Sequence, residues 1–351
     1  MRRRSVALLA LVVLIGLLWR PVLYPGGKAA LLLLDIYSAP LVGTNVAALI
    51  TPEPRSEETR ETFGGISMRV SWWRPGWGDR HPAIMLVNGA TPLGNDNEAT
   101  RQFGVTLSRA GYLVMLPEFP FSKEGRLDPD APRVVDAAFA HLRAMSETAG
   151  APAGAFGAST GAGLLLSAAG THPALQRAEH LTVLGGYFDL DTYVAAVATH
   201  SMAPGTVGWE PSDEAKQRIP PAVEDAMVDE ADKAKVRRAF TRTAYQAALD
   251  ELRSLSPRGR EVFDRLSPAT AWASVAPPVF WIHDPNDNFE PLSEAYAAQA
   301  APRSGRFVFV VPRVIQHAAV GEATKGQDVL SLARELGALL AFTLEVLRSA
   351  G

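Results

Sequence analysis

Between residues 65 and 351 the chain alternates short, almost wholly apolar runs with stretches of helical period, and that alternation leaves few folds open. "ISMRVSWW", "PAIMLVNG", "YLVMLPEFP", "PAGAFGAS", "HLTVLGGYF", "PPVFWIHD" and "RFVFVVP" are the right length for strands. Between them lie "EATRQFGVTLSRAG", with Phe103, Leu107 and Ala110 on one face, and "RVVDAAFAHLRAM", with a stripe of Val135, Phe139 and Leu142. "GAGLLLSAAG", "LSEAYAAQAAP" and the closing "DVLSLARELGALLAFTLEVL" complete the helical set. Strands apolar at every position need cover on both faces, so the expected fold class is α/β with a mainly parallel, doubly wound sheet. The rhythm breaks once. From about residue 189 to 276 the chain is charged, helix-prone and free of apolar strands, which predicts a helical insertion over the sheet.

The first fifty residues have a different character. "MRRRSVALLALVVLIGLLWRPVLYPGG" joins three arginines to an apolar run from Val6 to Trp19, close to a signal-peptide core in length and short of the ~20 residues of a full span. No small-x-small cleavage site follows it directly, and a second apolar stretch, "AALLLLDIYSAPLVGTNVAALI", comes soon after. Residues 1–50 are therefore expected to be a membrane-associated signal anchor. The basic head would stay cytoplasmic, leaving the rest of the chain anchored or exported on the extracytoplasmic side. Residues 51–64, polar and bearing two prolines, are expected to link this segment to a domain spanning 65–351.

Within that domain "GAFGASTGAG" sets Ser159 in a G-x-S-x-G spacing, with an apolar strand entering and a helix leaving. A strained strand–turn–helix of this kind exposes a serine hydroxyl and tolerates only small neighbours. The hydroxyl needs a base to become a nucleophile. Of seven histidines, only His317 lies just past the C-terminal end of the last strand, and sites in open parallel sheets gather outside strand C-termini. The acid that orients the base should follow "PPVFWIHD". Asp284 suits capping of the turn, whereas Asp287 stands further out, where a carboxylate can reach His317. Asp287 is preferred and Asp284 is the alternative, while Glu290 is expected to be a solvated loop carboxylate. The order Ser159, Asp287, His317 differs from both familiar serine-protease orders. Oxyanion donors are expected from the backbone N–H of Thr160, at a helix N-terminus, and of Ala90 (or Thr91) in "NGATPLGNDN".

Composition removes several other chemistries. With 34 basic against 37 acidic residues there is no field for nucleic acid, and with no cysteine there are no disulfides, thiolate metal sites or thiol nucleophiles. The histidines have no metal-ligand spacing, so no metal and no cofactor is expected. The lysine of a phosphate-binding loop is missing from "GAFGASTGAG". Asp189 and Asp191 could line the site but more simply cap a helix, and "EDAMVDEAD" reads as a solvated helix face.

From Gly65 onward the sequence resembles the α/β-hydrolases, and in particular bacterial dienelactone-hydrolase-related and esterase-like members. The resemblance rests on "NGA" at the oxyanion loop, "GASTG" at the elbow, "HDPNDNFEP" at the acid loop and "QH" at the base. It departs from the family in having Asn88 where many members have histidine, and Ser159 where dienelactone hydrolases proper use cysteine. The insertion falls where such enzymes carry a lid. The resemblance implies a serine hydrolase acting on a small-molecule ester through an acyl-enzyme. A peptidase or acyltransferase with the same triad, or a non-catalytic binding protein of this fold, are the alternatives.

Overall fold

The computed structural model describes residues 24–42, 44–202, 208–315 and 328–349. The polar stretch 51–64 does not form the expected linker. Most of it is a strand, β1 (Arg55–Phe63), paired antiparallel along its whole length with β2 (Ile66–Arg74). Gly64 and Gly65, at φ 56° and 86°, form the two-residue turn, where glycine is the residue that accepts positive φ without strain. The strand is polar because it lies at the sheet edge and is mostly exposed, so hydrophobicity gave no sign of it.

The apolar runs form the middle of the same sheet. β3 (Ala83–Val87) and β4 (Leu113–Pro117) are buried at every position. β5 (Ala153–Ala158), β6 (Leu181–Leu184), β7 (Val279–Ile282) and β8 (Phe307–Val310) follow, and the strand order is β1-β2-β4-β3-β5-β6-β7-β8. Every pairing from β4 to β8 is parallel, and only the two involving β2 are antiparallel. The architecture is the α/β, mainly parallel, doubly wound sheet expected from the alternation.

One face of the sheet is covered by α1 (Tyr24–Val42), which continues into the short α2 (Val46–Ile50), and by α3 (Glu98–Arg109). Ala29 and Leu32 of α1 pack with Trp73, Ile84, Leu86, Leu107 and Val114. Asp35, 3% exposed, accepts from Asn45 Nδ2 at 2.9 Å and from the Thr106 hydroxyl, with Arg109 Nε 3.6 Å away. A buried carboxylate satisfied in this way docks α1 in one orientation. Residues 24–50 are thus part of the folded domain rather than a segment apart from it. The arginines and the apolar run at 6–19 lie outside the described residues. Among those described, no helix is long and apolar enough to cross a membrane.

The other face carries α4 (Pro120–Glu124), α5 (Ala131–Ala144) and α6 (Thr160–Thr171). Val135, Phe139 and Leu142 of α5 are fully buried, as their spacing predicts, and truncating Phe139 would cost ~3–5 kcal/mol. Over residues 189–276 the described elements are all helices, joined by loops: α7 (Leu190–Thr199), α8 (Asp213–Asp225), α9 (Glu230–Ala239), α10 (Tyr245–Arg253), α11 (Pro257–Leu266) and α12 (Pro268–Ala271), with a 3-10 turn at Trp272–Ser274. Asp189 caps α7 through the Asp191 N–H, while Asp191 forms a two-pronged pair with Arg260. Asp232, expected on a solvated face, is 2% exposed and accepts from the Ser256 N–H and hydroxyl, joining α9 to α11. α13 (Leu292–Ala300) and the C-terminal α14 (Val329–Ser349) close the structure, α14 lying against α1.

Candidate active site

β5 ends at Ala158 and α6 begins at Thr160, so the chain turns on Ser159 alone, at φ 53° and ψ −133°. For a residue with a Cβ this is a strained conformation, costing ~1–3 kcal/mol, and it persists only where the surroundings enforce it. The glycines two positions to either side make it possible. A Cβ on Gly161 would lie 2.4 Å from the Val87 carbonyl oxygen, and one on Gly157 would lie 2.7 Å from Ala162 Cα. The Ser159 N–H donates to Leu184 O at 3.0 Å, and its carbonyl accepts from Ala162 N at 2.8 Å. The serine is half-buried, at the C-terminal edge of the sheet.

The loop after β3 passes beside it: a Cβ on Gly89 would stand 3.2 Å from Ser159 Oγ. The Ala90 N–H, expected to face an oxyanion, donates to Thr160 Oγ1 at 2.9 Å. Both expected donors therefore belong to adjoining residues, and the Thr160 hydroxyl keeps a proton of its own to donate. Polar side chains strap the loop in place. Asn88 accepts from the Thr100 hydroxyl at 3.1 Å, and Asn95, 1% exposed, donates to Ser71 Oγ and Leu116 O. Glu118 accepts from the Asn95 N–H and pairs with Arg69 at 2.7 Å. Burial alone would raise the Glu118 carboxyl, but the Asn95 N–H, Arg69 and Lys123 outweigh it and hold the group below its ordinary value.

The loop after β7 is organised by carboxylates. Asp284, 2% exposed, accepts from Asn286 N at 2.9 Å and, through its other oxygen, from Ile315 N at 3.1 Å. It thereby holds the chain two residues before His317, which lies outside the described residues. Asp287, 3% exposed, accepts from the N–H groups of Phe289 and Glu290 at 2.8 and 3.1 Å. Glu290 is not the solvated carboxylate expected. It is 1% exposed, and its Oε1 accepts the Ser159 hydroxyl at 2.6 Å. Fully buried His283 holds it from behind, Nε2 lying 2.9 Å from the Glu290 carbonyl oxygen. Sequence reasoning missed this contact. The one hint was a charged residue between Phe289 and Pro291, and its direction depends on the fold of the whole loop.

The helical insertion reaches both loops. Trp209 Nε1 donates to Asp287 O at 2.7 Å, Ser212 N to Asn288 O at 2.7 Å, and Arg218 to Ala90 O at 3.0 Å. A cavity of ≈ 320 Å³ opens between α4 and α8, lined by Gly125, Leu127, Arg218, Pro221 and Ala222 among others. Through Arg218, which donates to the Ala90 carbonyl, it adjoins the loop after β3. A larger one of ≈ 420 Å³ lies among Trp73, Asp96, Glu98 and Arg101 and includes none of the candidate site residues. Behind the site, Glu294 accepts from the N–H groups of Phe188 and Asp189 and from the Thr192 hydroxyl. Burial pushes its carboxyl up to about 7. Tyr187 and Tyr193 are raised above the usual phenol value, first by burial and then by the nearby Glu290 carboxylate.

No protein-family model matches the sequence, and no curated protein matches it. Solved structures do match. A 2,6-dihydroxy-pseudo-oxynicotine hydrolase aligns over 82% of this chain and 69% of its own, at 16% identity and a TM-score of 0.51. The acylaminoacyl peptidase of Pyrococcus horikoshii aligns over 83% of this chain at 13% identity and a TM-score of 0.50. A dienelactone hydrolase from Anabaena variabilis aligns over 84% of this chain and 97% of its own, at 15% identity and a TM-score of 0.45. The chain spans about two fifths of the peptidase's length, since 42% of that protein is covered. At these identities the likeness shows the fold. That fold is the α/β-hydrolase fold.

Proposed function

We propose that this chain of α/β-hydrolase fold is a serine hydrolase cleaving ester-type acyl bonds. Ser159 is the nucleophile, His317 the base and Asp287 the acid that orients it, with the Thr160 and Ala90 N–H groups receiving the oxyanion. The observation that carries this reading is Ser159 itself: a non-glycine residue at positive φ, alone between a parallel strand and a helix, with its hydroxyl against the acid loop. Strain at such a position is retained where the hydroxyl has work to do.

In this mechanism the Ser159 hydroxyl turns away from Glu290 Oε1, and His317 takes its proton as Oγ attacks the acyl carbonyl. Negative charge then develops on the carbonyl oxygen, where each preorganised N–H donor contributes about 3 kcal/mol. The Ala90 N–H becomes available when the Thr160 hydroxyl turns toward the substrate, or the hydroxyl itself donates in its place. His317 passes its proton to the leaving group, and water activated by the same imidazole releases the acid. Trp209 and Arg218 hold the acid and oxyanion loops to the lid, so lid and site are expected to move together.

A panel of p-nitrophenyl esters of graded chain length tests activity and pocket size at once. Turnover that is lost in Ser159→Ala supports the reading, and turnover unchanged in that variant overturns it. The solved neighbours include peptidases by name, which favours as second reading an amide-cleaving or acyl-transferring enzyme with the same triad. Amine or alcohol acceptors that speed release of a labelled acyl-Ser159 would distinguish transfer from hydrolysis. The N-terminal arginines and apolar run support attachment to, or export across, a membrane, which fractionation of the full chain tests.

A further inference from the structure

Tyr24, Leu49, Ile50 and Trp77 are large apolar side chains left 48%, 74%, 67% and 43% exposed, and they come from three separate parts of the chain. Contacts string them along one edge of the domain. Thr51, next to Ile50, accepts from Arg109 at the end of α3, and a Cβ on Gly76, next to Trp77, would lie 2.7 Å from Pro52 Cβ. A Cβ on Gly111 would stand 3.6 Å from the Trp77 ring and 3.8 Å from Lys28 Nζ. That ammonium in turn lies 4.7 Å from the centre of the Tyr24 ring and 4.3 Å from that of Tyr112.

Gly111 and Tyr112 lead into β4, and the register sets Leu113, Ala83 and Ala153, at the starts of β4, β3 and β5, side by side. The patch therefore lies where these parallel strands begin. Ser159 stands past the other end of β5, ~20 Å from Ala153 at ~3.3 Å per residue. Exposed aliphatic side chains beside a tryptophan, a tyrosine and a lysine suit the headgroup boundary of a bilayer. The rings offer an apolar body with a polar tip, and the lysine keeps its ammonium in water.

The sequence says what covers this edge. The apolar run Val6–Trp19, headed by three arginines, ends five positions before Tyr24. Five residues of fully extended chain reach at most ~18 Å, so covalent geometry alone keeps Trp19 within that distance of Tyr24. A bilayer that takes up the run lies equally close, and Tyr24 and its neighbours are the first folded surface it meets.

We infer that the edge carrying Tyr24, Lys28, Leu49, Ile50 and Trp77 rests on a phospholipid surface and holds the Ser159 edge of the sheet toward water. This rests on membrane attachment through the N-terminal segment and is independent of the serine-hydrolase reading.

The chain has no cysteine, so single-cysteine variants of the full chain can each carry one environment-sensitive fluorophore. Leu49→Cys and Trp77→Cys report on the proposed lipid edge. Leu93→Cys, in the loop after β3, and Val228→Cys, between α8 and α9, report on the site edge and the insertion, and both positions are exposed. Two labels on each side preserve the comparison if one variant misfolds. The labelled chains are reconstituted in vesicles of equal parts phosphatidylcholine and phosphatidylglycerol, with a spin-labelled phosphatidylcholine as quencher. Labels at 49 and 77 should be quenched several-fold more strongly than those at 93 and 228. Equal quenching at all four positions, or the reverse ranking, overturns the inference. So does a blue-shifted but unquenched label at 49 or 77, which would mean that protein, either the apolar run or a second copy, covers the edge. Co-sedimentation with the vesicles separates the levels of failure. A chain that sediments with them but fails the quenching test overturns this inference alone, while a chain that stays in the supernatant overturns membrane attachment and this inference with it.

Discussion

The two loops that meet at Ser159 are held by opposite means. The elbow after β5 is fixed by sterics: small residues on either side leave the backbone one route, and a Cβ on Gly161 would run into the Val87 and Asn88 carbonyls. The loop after β7 is fixed by charge, its N–H groups gathered by the carboxylates of Asp284 and Asp287 and its tip held by His283. The first kind of constraint shows in residue types, because only glycine fits. The second depends on which way each carboxylate points, and several arrangements of "HDPNDNFEP" would satisfy the same composition.

Substitutions can break this contrast. The largest effect should come from Ser159→Ala, which removes the group both loops surround. The reading above predicts a fall in kcat/KM of about 10⁴-fold or more, with the thermal melt unchanged or higher. In the loop after β7, the same reading predicts that Asp287→Asn costs about 10²–10⁴-fold in kcat, since an amide still accepts from Phe289 and Glu290 but would no longer balance an imidazolium. Asp284→Asn should cost less in rate and more in stability, because its carboxylate anchors Ile315. The reverse ranking, measured by steady-state kinetics and melting, would transfer the acid role to Asp284.

Smaller effects sharpen the comparison. Gly161→Ala should destabilise by ~1–3 kcal/mol through overpacking. Asn288→Ala in the loop after β7 should stay within about 0.5 kcal/mol, since that side chain is exposed and its backbone carbonyl keeps Ser212. Denaturant melts of the two variants decide whether steric constraint is confined to the elbow. The subtlest change concerns Glu294. Burial holds its carboxyl at about 7, above the ordinary 4.5, so the folded chain binds this proton more tightly than the unfolded one. The resulting stabilisation is complete below about pH 4.5 and is lost as the pH rises through about 7, up to about 3 kcal/mol in all. Glu294→Gln, whose amide oxygen can still accept from Phe188 and Asp189, should flatten the melting temperature across that window.

What the sequence revealed follows the same division. The central strands, the stripes of α3 and α5, and the helical insertion were legible because burial writes itself into apolar period. β1 was not, since an exposed edge strand carries no such signal, and the Gly64-Gly65 turn was its only mark. The docking of α1 depends on Asp35 meeting Asn45, Thr106 and Arg109, partners as many as 74 positions away, which no local pattern reveals. At the site, Ser159 stood out by its neighbours. Glu290 did not, because its burial comes from His283 behind it and from a serine 131 residues earlier.

The central claim is that Ser159 is an activated nucleophile. Treating the full chain with a fluorophosphonate and mapping the adduct by peptide mass spectrometry tests it most directly. The account predicts one stoichiometric adduct, on Ser159, that forms in wild type and slows at least about a hundredfold in His317→Ala. Adduct formation at Ser159 no faster than at exposed serines, or equally fast without His317, would contradict it.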